Sequence, residues 1–208
     1  ALLARIFVKD HPLGKKYMSA REYTHAGIRQ QNRNRLLFRD ERVTGLKTGF
    51  LSASGYHLVA TAEEGDLSLA AAVLGASSVD VREQEALALL NYGFRTYMTF
   101  SPTWGEGGEK VLPVFKGRDD EVRVRPQERL TITVARDAAG RVTLEDDLPE
   151  HFEAPLEAGA VVGRLSVTVD GETEAVTELV AAESVERGSI FRVIIDSVRL
   201  FLQGLFGN

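Results

Sequence analysis

The chain has 208 residues, 44% hydrophobic and 26% charged, enough to bury a core for one large domain or two small ones. Cysteine is absent, which excludes a disulfide framework, a thiolate zinc site and a cysteine nucleophile, and the four histidines (His11, His25, His57, His151) lack metal-ligand spacing. The formal net charge of −5 is unevenly placed: residues 1–47 hold 11 Lys+Arg against 4 Asp+Glu, and the remainder holds 14 against 26.

Ala1 to Phe7 is a short apolar helical piece with no signal-peptide cleavage site, broken at His11-Pro12. A helix that starts without a cap is expected to be the inside of something longer, so the chain is read as the later part of a polypeptide. From Tyr23 to Phe38 the secondary-structure reading is ambiguous. Its basic run, Arg29 to Arg42, has no aromatic interleaving beyond Phe38 and belongs to an acidic chain, so an anionic small substrate is favoured over nucleic acid.

Three adjacent strands follow, Val43 to Phe50, Gly55 to Ala62 and Leu67 to Leu74, the last two joined by the turn Glu63-Glu64-Gly65-Asp66; together they predict an antiparallel meander. Asp80 with Glu83 three residues on is a capping-box pattern. The stripe Val81, Ala86, Leu87, Leu90 and Phe94 then predicts a helix that ends near Gly93 and packs on the sheet.

Residues 99–108 have linker chemistry and set a domain boundary, giving 1–100, 101–188 and 189–208 as the expected units. Beyond it, strands are expected at Val111 to Phe115, Glu121 to Val124, Leu130 to Val134, Arg141 to Leu144, Val161 to Val169 and Ala175 to Val180, the last two joined at Asp170-Gly171. This is a small all-β module. In residues 189–206 a helical projection places Arg192, Asp196, Arg199 and Gln203 on one narrow stripe, with apolar residues over most of the rest. At roughly 26 Å the helix is marginal for a bilayer crossing, and the charged stripe favours lying in the membrane interface; docking on its own β module is the alternative.

The stretch GLKTGFLSASGY (45–56) carries a Lys-Thr-Gly between glycines. Strand alternation sends Lys47 one way with Gly45 and Gly49, and Leu46, Thr48 and Phe50 the other; twist at a sheet rim would bring ammonium and hydroxyl to one cleft. Such a pair suits anion recognition. Lys-Thr-Gly is the third motif of serine β-lactamases and penicillin-binding proteins. With GIRQQNRNRLL (27–37), VTGLKTGF (43–50), GYHLVATA (55–62), VLGA (73–76) and LLNYGFRTY (89–97), the chain resembles the second half of a low-molecular-mass penicillin-binding protein, a D-alanyl-D-alanine carboxypeptidase.

The resemblance implies an α+β fold: the second half of a transpeptidase-like domain, an all-β domain and an amphipathic anchor helix. It implies a serine peptidase that acts on D-Ala-D-Ala peptidoglycan stem peptides and is trapped by β-lactams, periplasmic and peripherally attached to the inner membrane through 189–206. Lys47 would serve the electrostatics and proton traffic, Thr48 the terminal carboxylate, and the Phe50 N–H, with Gly49 beside it, the oxyanion. Arg82 would reach the same carboxylate, and Arg33 is a further candidate with site and scaffold roles open. No metal and no cofactor are implied. Leu51 after Phe50 departs from the threonine of many relatives. No Ser-x-x-Lys and no Ser-x-Asn occurs anywhere in the 208 residues. Either those motifs lie in an N-terminal part of the same protein, which is then a partner of this chain, or the chain is an inactive binding or scaffolding protein.

Overall fold

A computed structural model describes residues 1–206, with side chains to Leu202. The chain divides into two compact units, Ala1–Thr99 and a second that begins at Phe100.

The first unit opens with two helices, α1 (Leu2–Asp10) and α2 (Pro12–Met18), separated at His11 where Pro12 starts the second. The ambiguous stretch resolves into a hairpin, β1 (Glu22–His25) and β2 (Ile28–Gln31), and one helical turn, α3 (Leu36–Arg39). The meander then forms an antiparallel sheet in the order β3 (Val43–Leu51), β4 (Gly55–Glu64), β5 (Leu67–Ala76). Gly55 has φ +83, and a Cβ there would sit 2.6 Å from the Ala76 carbonyl oxygen, so the β3–β4 turn requires glycine.

Helix α4 (Val79–Thr96) covers this sheet, with Ala86, Leu90 and Phe94 packed on Leu58, Ala60, Val73 and Ala71. Its cap is Ser78, whose Oγ accepts from Val81 N–H at 3.1 Å, rather than Asp80. Glu83 cannot close a capping box, because its side chain is fully buried with Arg39 Nη1 at 3.2 Å. Nor does Gly93 end the helix; it lies inside, where a Cβ would meet Leu69 Cδ1 at 2.6 Å, and it lets helix and sheet close up. A short strand β6 (Tyr97–Phe100) follows.

The second unit is a six-stranded sheet built from β7 (Lys110–Phe115), β8 (Glu121–Pro126), β10 (Val142–Asp146), β11 (Phe152–Glu153), β12 (Val161–Val169) and β13 (Glu172–Ala181). Its order is β10-β12-β13-β8-β7-β11, and only the β11–β7 pairing is parallel. β9 (Ile132–Ala135) leads into a short 3₁₀ turn. The β12–β13 turn has Asp170 and Gly171 at φ 53 and 84, the positive pair a two-residue hairpin turn demands. Trp104, Val122, Val124, Leu165 and Leu179 form the core. Within it Trp104 Nε1–H donates to Asp146 Oδ2 at 2.9 Å, and Lys110 Nζ donates to the same oxygen.

Helix α5 (Ile190–Phe206) touches this unit through its polar stripe. Asp196 is buried, and its Oδ2 accepts the Lys116 backbone N–H at 2.7 Å. Arg192 pairs with Asp120. The apolar side is left in solvent, Phe191 at 80% and Phe201 at 69% exposure. Arg199 is exposed as well, and the Gln203 side chain lies outside the described residues. Among the described residues no helix is long and apolar enough to cross a membrane.

Candidate functional site

In the first unit a cleft of about 410 Å³ is lined by Thr48, Gly49, Phe50, Arg82, Arg33 and Arg35, closed by Tyr56, Val79 and the Gln31-Asn32 pair. Strand alternation accounts for one wall, since Thr48 and Phe50 share a face of β3. Lys47 precedes them on the same strand. It is exposed and does not line the cleft, and its Nζ donates to the Thr48 carbonyl.

Arg82 lies in the first turn of α4, where sequence alone suggests a solvated side chain, yet it is only 5% exposed. Its Nη1 donates to the carbonyls of Gly49 (3.4 Å) and His57 (3.3 Å), which face each other across β3 and β4. The guanidinium lies 5.8 Å from the Tyr56 ring centroid. Its Nε is buried without a protein partner, a donor left for something else.

The Gln-Asn-Arg-Asn stretch divides its labour by residue. Asn34, buried, donates from Nδ2 to the Gly45 carbonyl at 2.9 Å and tethers the segment to β3. Asn32 donates to the Met18 and Ala20 carbonyls (3.2 and 2.9 Å) and accepts from Asn34 N–H at 2.9 Å. The asparagines are scaffold, which leaves Arg33 and Arg35 to point into the cleft. Sequence reasoning missed Asn34, Arg35 and Tyr56; the alternation of Asn and Arg over 32–35 was the available signal.

Ser54 in the β3–β4 turn is close to a histidine, with Oγ 3.0 Å from His57 Nε2. The Gly75 N–H donates to His57 Nδ1 at 3.0 Å, so the neutral ring carries its hydrogen on Nε2 and donates it to Ser54. A general base needs the opposite tautomer, and Ser54 is thereby held as an acceptor rather than activated. Among the described residues no cluster of His, Asp or Glu could hold a metal ion.

The sheet-plus-helix unit and the β-rich unit with its terminal helix define a mixed α/β protein of antiparallel sheets. Two family models match it: "D-alanyl-D-alanine carboxypeptidase" over residues 1–78, and "Penicillin-binding protein 5, C-terminal domain" over 105–187. The chain is 33% identical over its whole length to the D-alanyl-D-alanine carboxypeptidase DacC of Escherichia coli K12, covering 52% of that protein, and 32% identical to DacA of the same strain, again 52%. Among solved structures, penicillin-binding protein 5 of Haemophilus influenzae superposes with TM-score 0.70 at 29% identity, over 90% of this chain and 55% of that one. Penicillin-binding protein 6B of Escherichia coli gives 0.58 at 27% identity, over 86% and 47%.

The chain belongs to the D-alanyl-D-alanine carboxypeptidase family of penicillin-binding proteins, as a C-terminal portion. It spans about half the length of the curated relatives it matches.

Proposed function

We propose that this chain is the C-terminal portion of a serine-type D-alanyl-D-alanine carboxypeptidase that trims peptidoglycan stem peptides and is acylated by β-lactams. The observation that carries this is the cleft in which Thr48, Gly49 and Phe50 meet the buried, incompletely partnered guanidinium of Arg82. Thr48 Oγ–H and Arg82 hold the substrate's terminal carboxylate by charge-assisted hydrogen bonds. The Phe50 N–H donates to the oxygen that becomes negative as a serine, supplied by the N-terminal portion, attacks the D-Ala-D-Ala carbonyl. The amide C–N bond breaks and D-alanine leaves with a proton; water then hydrolyses the acyl-serine. Lys47, whose exposed ammonium lies against the Thr48 carbonyl, joins the proton traffic once the N-terminal portion covers it.

The protein works in the periplasm, held peripherally to the inner membrane by residues 189–206, whose apolar face is free while its polar stripe grips the β module. D-alanine release from a D-Ala-D-Ala peptide, measured on this chain joined to its N-terminal portion, tests the reaction. It should be present, and Arg82→Gln should abolish most of it. Full release by Arg82→Gln would remove that residue from the site.

A second reading is a nucleophile-free protein that binds D-Ala-ending peptides in the cell envelope through the same cleft. Intact mass of the natural protein separates the two. The carboxypeptidase reading requires about 15 to 20 kDa beyond this chain, the usual size of the missing part of such a domain.

A further inference from the structure

The cleft carries more positive charge than the terminal carboxylate can use. Its lining includes three guanidiniums, from Arg33, Arg35 and Arg82, and not one carboxylate. Like charges gathered in one cleft repel one another, and the arrangement is favourable only when anions enter it. One terminal carboxylate is satisfied by one guanidinium fork and the Thr48 hydroxyl.

Among the described residues the two remaining arginines are at most weakly paired. Arg33 is exposed and makes no hydrogen bond or ion pair among the described residues. Arg35 has only a loose contact, Nη1 to Asp80 Oδ1 at 3.7 Å, between side chains 58% and 65% exposed. Asp80 also lies 3.6 Å from Arg39, so it neutralises neither fully. Both arginines are nonetheless placed, because Asn32 and Asn34 on either side of Arg33 fix the backbone that presents them.

We propose that Arg33 and Arg35 form a subsite for a second carboxylate on the substrate, so that the preferred D-Ala-D-Ala peptide is one with an ionised side chain ahead of the scissile bond. The inference rests on the carboxypeptidase reading for its first carboxylate and extends it to substrate class. Arg35 is the specificity-determining residue, and Arg33 shares the charge.

Two D-Ala-D-Ala peptides identical except for a side-chain carboxylate in one and its carboxamide in the other test this on the complete protein. The carboxylate peptide should be preferred about three- to tenfold, chiefly through KM, because an ion pair at a partly exposed site contributes modestly. The preference should shrink as ionic strength rises. Arg35→Gln should lower kcat/KM for the carboxylate peptide by about that factor more than for the carboxamide, and Arg35→Lys should restore part of it. Equal turnover of both peptides by the unmodified protein, or an equal loss on both in Arg35→Gln, overturns the proposal. If neither peptide is hydrolysed, the carboxypeptidase reading fails, and equilibrium binding of the same two peptides still decides the inference: tighter binding of the carboxylate form supports it, and equal binding overturns it.

Discussion

Replacing Asp146 with alanine should destabilise the β-rich unit by about 2 to 4 kcal/mol. The carboxylate accepts from Trp104 Nε1 at 2.9 Å and from Lys110. Trp104 is 4% exposed, so removing its acceptor leaves a buried donor unpaired, and a hydrogen bond to a charged acceptor is worth about 1.5 to 3 kcal/mol. Lys110 is 41% exposed and is discounted to about 0.2 to 1 kcal/mol for solvent screening. Burial opposes ionisation of Asp146, but hydrogen bonds from Lys110 and Trp104 outweigh it and hold the carboxyl below its usual range. A depressed folded-state value means that this stability is fully present above the unfolded pKa, about 3.9, and is lost as pH falls through the lower folded value. Trp104 is the sole tryptophan, so urea unfolding followed by its fluorescence reports this unit directly. The gap between wild type and Asp146→Ala should be widest near neutrality and close in acid, with Asp146→Asn falling between them. A loss under about 0.5 kcal/mol, or a gap that widens in acid, would refute the assignment.

Thr48→Val in the complete protein should cut kcat/KM for D-Ala-D-Ala peptides by about ten- to a hundredfold, the worth of one charge-assisted bond, with urea stability unchanged; undiminished turnover would remove Thr48 from the site. Residues 189–206 should carry the chain upward with anionic liposomes in a flotation gradient, and a chain without them should stay in the dense fraction. Equal flotation of the two counts against an anchor. Arg39→Gln leaves the Glu83 carboxylate buried without its cation and should destabilise the first unit by about 1 to 3 kcal/mol, allowing for the partial exposure of Arg39; Glu83→Gln added to it should recover part of the loss in a double-mutant cycle.

The β3–β5 meander was readable because alternation, glycine turns and proximity in sequence agree, and local pairing needs no distant information. β1 and β2 were not readable: every residue in them is exposed, so no apolar alternation marks them. β11 is two residues long and pairs in parallel with β7, a contact no local pattern announces. The helix cap was misplaced by two residues because Asp80 with Glu83 completes the capping-box pattern, whereas the actual cap, Ser78, has Val81 three residues on and Glu83 is buried beside Arg39.

The site followed the same division. Thr48, Gly49 and Phe50 were accessible from the motif, whereas the burial of Arg82 depends on two strand carbonyls, at positions 49 and 57, that accept from its guanidinium. For α5 the amphipathic pattern was plain, but an apolar face ordinarily packs inward. Here the Lys116 N–H captures the Asp196 carboxylate and turns that face outward, which hydropathy alone does not encode.

The most direct test is labelling with a fluorescent penicillin. The isolated chain should form no covalent adduct, because its serines have no lysine three residues on and His57 donates to Ser54 instead of accepting from it. Joined to its N-terminal portion, the protein should be labelled on a serine of that portion, and Arg82→Gln should slow the labelling. A labelled band at 22.8 kDa from this chain alone would contradict the account and make Ser54 the first residue to replace.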